Sequence, residues 1–288
     1  MNPFEYGKEV SGYQFYDRRK SSEDLHRRLD FKTIVPLGLM LLVGCGERKI
    51  ERIEWPVMGT VAAVQTRGAT VEETAEVVRA VKAEFARVEK LLNAHDPNSE
   101  LSRLAPLAEQ EILETCDPAM KPCYELAFAW RETTHGAFNP RWRGTNTLDL
   151  GAIAKGFAVD LAAARVPKGN CDVLLDLGGN LRAVRGDWKV GIAGSCESFE
   201  LEEHQSCATS AEYYRGKHIY DGRTGLAVSN DVVSVTVVAT EAMYADLLST
   251  TAFIFGPEES KPYLDGWHTY SAVWIMRNGR KISWAPTQ

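Results

Sequence analysis

The chain has 288 residues, 44% hydrophobic and 25% charged, a length that supports a sizeable core and a balance that argues against disorder. Its formal net charge is −6, and residues 45–288 alone carry −7, so the body lacks the basic footprint of a broad nucleic-acid binder. Six cysteines are too few for a disulfide scaffold, and no apolar run reaches the ~20 residues of a membrane-spanning helix.

In chain order, the first feature is an address. The uncharged stretch TIVPLGLMLLVG (33–44) follows the basic DLHRRLDFK and precedes Cys45. A positive region, a short apolar core and small residues make a secretory signal, and LVGC (42–45) resembles the bacterial lipobox, in which the chain is cut before an acylated cysteine. A buried strand or short helix ending at Cys45 is the plainer alternative. Residues 1 to about 24 exceed what such a signal needs, and a misassigned start is expected to account for them. Residues 1–44 are therefore read as signal, 45–55 as a charged tether and 56–288 as one domain. With Cys45 acylated, Cys116–Cys123 and Cys196–Cys207 are conceivable pairs, and an odd thiol remains. No Cys-x-x-Cys or paired-His spacing suggests zinc.

VMGTVAAVQT (57–66) reads as a strand. Val77, Val81, Phe85, Val88 and Leu92 recur at helical steps and predict one amphipathic helix over 72–92. NAHDPNSELSRL (93–104) reads as a loop with Ser99 as an N-cap, and 117–134 as a second helix ended by Gly136. TLDLGAIAKGFAVDLAAARV (147–166) runs from a short strand or loop into a helix. DVLLDLGGNLRAV, WKVGIAG, VVSVTVVA and YSAVWIM are β-rich, and 240–256 is a helix ended by Gly256. Strands and helices mix without steady βαβ alternation, which predicts an α+β fold of mixed β-sheets packed by helices, not a doubly wound sheet.

Three stretches bear chemistry. Lys155 in GAIAKGFAVD falls in a first helical turn, where a cation opposes the macrodipole unless an anion sits there; a solvated surface lysine is the plain alternative. Asp246 and Thr250 lie four apart on one helix face and offer hard oxygens suited to magnesium, or else they satisfy themselves locally. His218 in HIYDGRTG stands beside an acidic turn and is either a general base or a structural loop histidine.

Together these stretches carry a resemblance. VMGT (57–60), NAHDPNSELSRL (93–104), HGAFNP (135–140), LDLGAIAKGFAVD (148–160), DLGGNLRAVRGDWKVGIA (176–193), ATSAEY (208–213), HIYDGRTG (218–225) and VTVVATEAMYADLLSTTAFIFG (235–256) occur in the order seen in the FAD:protein FMN transferases. The chain resembles that family, the ApbE family, over about 200 residues. The resemblance implies transfer of FMN from FAD to a Thr or Ser hydroxyl of a partner protein, as a phosphoester, with release of AMP. It implies FAD contacts at Met58, Ala137, Phe138, Asn139, Asp149 and Lys155. It implies magnesium held by the Ala152 carbonyl and the Asp246 and Thr250 side chains, with His218 activating the acceptor hydroxyl. The implied acceptors are outward-facing electron-transfer proteins, and the implied place is the bacterial cell envelope, anchored to the membrane by lipid and facing the periplasm or the outer surface.

The chain departs from the family pattern at several of these positions. His95 stands where the family has an aromatic ring against the flavin or adenine, Tyr220 and Gly222 replace Ile and Pro, and Asn139 replaces Asp. Ser249 stands where some members have a further carboxylate. An FAD pyrophosphatase, a non-enzymatic flavin-binding lipoprotein and a structural surface lipoprotein are the competing readings.

Overall fold

The computed structural model describes residues 49–212, 218–265 and 269–286. The proposed signal and Cys45 lie outside them. Eight strands form one sheet, in the order β1 (Ile50–Val57), β2 (Thr60–Arg67), β3 (Asp172–Leu177), β4 (Asn180–Arg185), β7 (Ser206–Ala211), β10 (Val232–Ala239), β11 (Thr269–Met276) and β12 (Lys281–Trp284). Every neighbouring pair is antiparallel. Two hairpins stand apart: β5 (Trp188–Gly191) with β6 (Ser198–Leu201), and β8 (Tyr220–Asp221) with β9 (Leu226–Ala227).

Alternation along the strands divides the core between the two faces. Ala62, Val64, Val173, Leu175, Val235, Val237 and Trp274 turn to one face and join the helices in one large cluster. Leu174, Leu181, Ala183, Cys207 and Val238 turn to the other, where β5–β6 covers them with Trp188, Val190 and Leu201. The helical layer holds α1 (Val71–Leu92), α2 (Glu100–Leu104), α3 (Glu109–Thr115), α4 (Lys121–Thr133), α5 (Ala154–Ala163), α6 (Ala242–Glu259) and α7 (Lys261–Leu264). The mixed α+β architecture matches the expectation from sequence.

Local chemistry sets the element ends. Helix α1 buries Val77, Val81, Phe85, Val88 and Leu92, as their spacing requires, and opens on a Thr70–Glu73 capping box. Ser99 does cap a helix, accepting from the Ser102 amide, so the expected loop 93–104 ends in the short α2. The second helix occupies Lys121–Thr133 and is preceded by a separate α3, whose seven residues have too few turns to show a period. No strand precedes α5; residues 148–153 are coil and turn. Gly256, at φ 74°, breaks α6 where its end was expected.

Two expectations at the start of the domain are corrected. Residues 57–66 are not one strand. Met58 and Gly59 adopt φ 51° and 65° and form a two-residue turn between β1 and β2, a geometry usually signalled by Asn-Gly. The charged stretch taken as a tether up to residue 55 is strand from Ile50, paired with β2 along its whole length. Its charges fit an edge strand, which uses them against edge-to-edge association. Neither conceivable disulfide forms: Cys116, Cys123, Cys171 and Cys207 are buried free thiols and Cys196 is an exposed one.

Candidate active site

The turns of β1–β2 and β3–β4 lie at the same end of the sheet, because the Gly178 amide donates to Val61 O and the Thr209 amide donates to Gly179 O. Helix α6 runs along β7 toward this end, from Ser206, whose Oγ donates to Thr240 O just before the helix, to Ser210, whose Oγ bonds Thr250 Oγ1, and α5 packs beside it. Their contact depends on Gly156: a Cβ there would stand 2.1 Å from the Ala242 carbonyl oxygen and 2.8 Å from Asp246 Cβ. The missing side chain lets the backbones touch and brings the first two turns of α6 to the first turn of α5.

Asp246 meets α5 at that point. Its side chain is 6% exposed, and its Oδ2 accepts the Gly156 amide at 3.0 Å. That amide lies in the first turn of α5, where the helix offers it no acceptor of its own, and Asp246 satisfies it. The carboxylate also lies at the positive end of the α5 dipole. Lys155 Nζ sits 3.3 Å from both Asp246 oxygens and donates to Gly151 O at 2.9 Å. The cation in the first turn, unfavourable to the dipole by itself, therefore has its anion within the chain. One turn along α6, Thr250 Oγ1 is 3.2 Å from Ser210 Oγ, which also bonds Ser249 Oγ at 2.9 Å. Lys155, 91 positions before Asp246, thus meets the α6 face that carries Asp246 and Thr250 and packs on β7.

Asp160 fixes the arrangement from behind. Its carboxylate accepts the Ala242 and Met243 amides at 2.9 and 2.8 Å and pairs with Arg182 at 2.7 Å. It supplies the cap that Glu241 does not make for α6. Burial pushes its pKa up to about 6, against the pull of Arg182 and the two amides.

A second group frames the site. Ala137 O accepts the Gly222 amide at 2.8 Å, which docks the β8–β9 hairpin onto the GAFNP segment. Phe138 is buried, its amide bonded to Thr134 Oγ1, and Asn139 Oδ1 accepts the Arg141 amide, so both shape the loop. Tyr220 stacks on Trp142 with ring centroids 4.0 Å apart. Asp149 accepts from Trp142 Nε1 at 3.2 Å and from the Gly151 amide at 2.9 Å, and Arg143 lies 3.5 Å away. Both oxygens of the expected FAD contact Asp149 are thus engaged by the chain itself.

His218 is exposed and leads into the β8–β9 hairpin. At the following turn, hydrogen bonds from Arg223 hold the Asp221 carboxyl below its ordinary pKa. Met58 donates its amide to Glu89 at 2.6 Å in the β1–β2 turn. His95 is exposed in the turn after α1, its amide bonded to Asn93 Oδ1.

The donor chemistry fits a hard divalent cation. Asp246 provides a carboxylate and Thr250, one turn along α6, a hydroxyl, while the Ala152 carbonyl expected as a third donor precedes the α5 N-cap Ile153. No cluster of three or more His, Cys, Asp or Glu that could hold a metal occurs among the described residues, so a single carboxylate would need oxygens from a substrate as well.

Trp142, Gly156, Asp160 and Ser210 were not legible as site residues in the sequence. Gly156, Asp160 and Ser210 stand inside the motifs that carry the resemblance. Trp142 and Gly156 acquire their roles only from partners 78 and 86–90 residues away.

A helix-backed antiparallel sheet carrying an ammonium and a buried carboxylate at the start of a helix, with hydroxyls on the neighbouring helix and strand, defines a class of site suited to a phosphorylated substrate. The model of the ApbE family matches residues 58–146 and 141–274, and the chain belongs to that family. An FAD:protein FMN transferase of Klebsiella pneumoniae is 33% identical over 150 residues, 46% of each chain. One from Treponema pallidum is 32% identical over 161 residues, 46% of this chain and 44% of its own. The alignments thus span under half the length of these curated relatives. The apo flavinyl transferase ApbE of Pseudomonas stutzeri superposes with a TM-score of 0.67 at 19% identity, covering 84% of this chain and 96% of its own. The flavin transferase ApbE of Vibrio cholerae gives 0.66 at 20% identity, covering 83% and 98%. These two structures establish the fold.

Proposed function

We propose that this chain transfers FMN from FAD to a Thr or Ser hydroxyl of a partner protein and releases AMP. The observation that carries the reading is the meeting of Lys155 and Asp246 at the first turn of α5, with the Thr250 hydroxyl one turn along α6 from Asp246. Family membership and the names of the relatives supply the substrate.

The acceptor oxygen attacks the phosphorus on the FMN side of the diphosphate, and the bond from that phosphorus to the bridging oxygen of AMP breaks. His218 takes the hydroxyl proton. Lys155 balances charge on the diphosphate, and the α5 amides offer it a positive helix end. Asp246, Thr250 and the Ala152 carbonyl would hold magnesium, which would supply Lewis-acid stabilisation of the charge that develops on the phosphate oxygens. The Trp142–Tyr220 stack offers a ring surface at the edge of the site. Met58 and Phe138 shape the surface that meets FAD, with Asn139 and Ala137 contributing backbone. His95 offers a weaker stacking partner.

Mass spectrometry of an electron-transfer acceptor after incubation with the protein, FAD and magnesium tests the reading. A gain of one FMN supports it. AMP release with an unchanged acceptor shows an FAD pyrophosphatase instead.

The chain is further proposed to work at the bacterial envelope, held by lipid on Cys45. The support is the basic, apolar and LVGC pattern before the domain. Cys45→Ser is expected to free the protein from the membrane fraction; a variant that still sediments after a high-salt wash contradicts the anchor.

A further inference from the structure

Lys155 is the one feature of the site that a simple metal centre does not need. Its ammonium lies 3.3 Å from each Asp246 oxygen, symmetrically over the carboxylate, and is tied back to Gly151 O at 2.9 Å. Both side chains are largely enclosed, 19% exposed for Lys155 and 6% for Asp246. The nearby Asp149 and Arg143 balance each other at 3.5 Å. The charge of the resting site therefore depends on this one ion pair.

We propose that Lys155 is a stand-in for the divalent cation, so that the site takes the cation only together with a diphosphate. The inference rests on the reading that Asp246 holds such a cation beside a diphosphate. Counting charge shows why the two must arrive together. At rest, Asp246 and Lys155 cancel. A divalent cation alone leaves two uncompensated positive charges in an enclosed site. A diphosphate diester alone leaves two uncompensated negative charges. With both present the sum returns to zero, with Lys155 moved from the carboxylate to the phosphate oxygens. Uncompensated charge in an enclosed site is costly, so each ligand is disfavoured without the other. The coupling is reciprocal by linkage. It keeps the site from filling with metal when no nucleotide is present.

The test is Mn²⁺ binding to the full chain, read by the electron paramagnetic resonance of the free ion, with and without ADP-ribose, a diphosphate diester lacking flavin. Wild type is expected to bind Mn²⁺ about tenfold or more weakly without ADP-ribose than with it. Lys155→Met is expected to bind Mn²⁺ alone about tenfold or more tightly than wild type does, and to lose most of the ADP-ribose dependence. Lys155→Arg, which keeps the charge, should retain it. If the Met variant does not fold, as judged by circular dichroism, Lys155→Gln gives the same comparison while preserving a donor for the Gly151 carbonyl.

Asp246→Asn separates the two readings. If it binds Mn²⁺ with ADP-ribose as wild type does, the cation is held elsewhere and the stand-in falls with the site. If it loses binding while the neutral Lys155 variant binds Mn²⁺ alone no better than wild type, the site stands and the stand-in is refuted.

Discussion

Asp246 has three roles that its sequence context shows only in part. It accepts the Gly156 amide, pairs with Lys155 and sits one turn from Thr250. The four-residue spacing placed Asp246 and Thr250 on one helix face from sequence alone. The partner of Lys155 was not legible, because the two lie 91 positions apart. His218 is the other residue on which the chemistry turns. His218→Ala is expected to keep FAD binding while transfer falls by ~10²-fold or more. Flavin fluorescence and acceptor labelling read the two separately, and an unchanged transfer rate at neutral pH removes His218 from the mechanism. The neighbouring turn has its own pH signature. Arg223 holds the Asp221 carboxyl below its ordinary value of 3.8, so the pair stabilises the turn above that pH and releases it as pH falls through the depressed value. Arg223→Ala should raise the Asp221 midpoint toward 3.8, measured from its carboxyl carbon resonance. Because Arg223 is 45% exposed, little change in overall stability is expected.

At the scale of elements, the site is a contact between two helices. Glycine in a helix interior ordinarily costs about 1 kcal/mol relative to alanine, so Gly156→Ala would stabilise an isolated α5. Here the added Cβ meets the Ala242 carbonyl at 2.1 Å, and a carbonyl inside a helix cannot swing aside. The variant is therefore expected to lose about 2 kcal/mol in urea unfolding, with Asp246 drawn away from the Gly156 amide. Equal or greater stability contradicts the close approach. Other element-scale features explain what the sequence could and could not show. The 22 residues of α1 display their period over six turns, and it was legible. The short α3, the two-residue strands β8 and β9 and the Met58–Gly59 turn lack the length or the usual turn residues to declare themselves. The edge strand β1 looked like a tether because strands with charged, half-exposed faces carry little hydrophobic signal.

Over the whole molecule, the antiparallel sheet provides the frame and leaves the chemistry to one end of it. One face is closed by helices and the other by β5–β6, and the α5–α6 contact that carries Lys155 and Asp246 lies on the helical face. The α+β class was legible because strands and helices did not alternate. The sheet order was not, since β4 pairs with β7 across an intervening hairpin and nothing local to either strand specifies that partner. Motif order singled out Lys155 and Asp246, which the fold brings into contact, and the fold engages both oxygens of Asp149 and the Asn139 Oδ1 within the chain itself. The central claim is that Asp246 holds a divalent cation for a reaction on FAD. The direct measurement is turnover against magnesium concentration for wild type, Asp246→Asn and Thr250→Val. Removing the carboxylate proposed to hold the cation should nearly abolish turnover, with partial rescue at raised magnesium, while loss of the neutral hydroxyl should be milder. Wild-type magnesium dependence in Asp246→Asn would place the cation elsewhere and contradict the account.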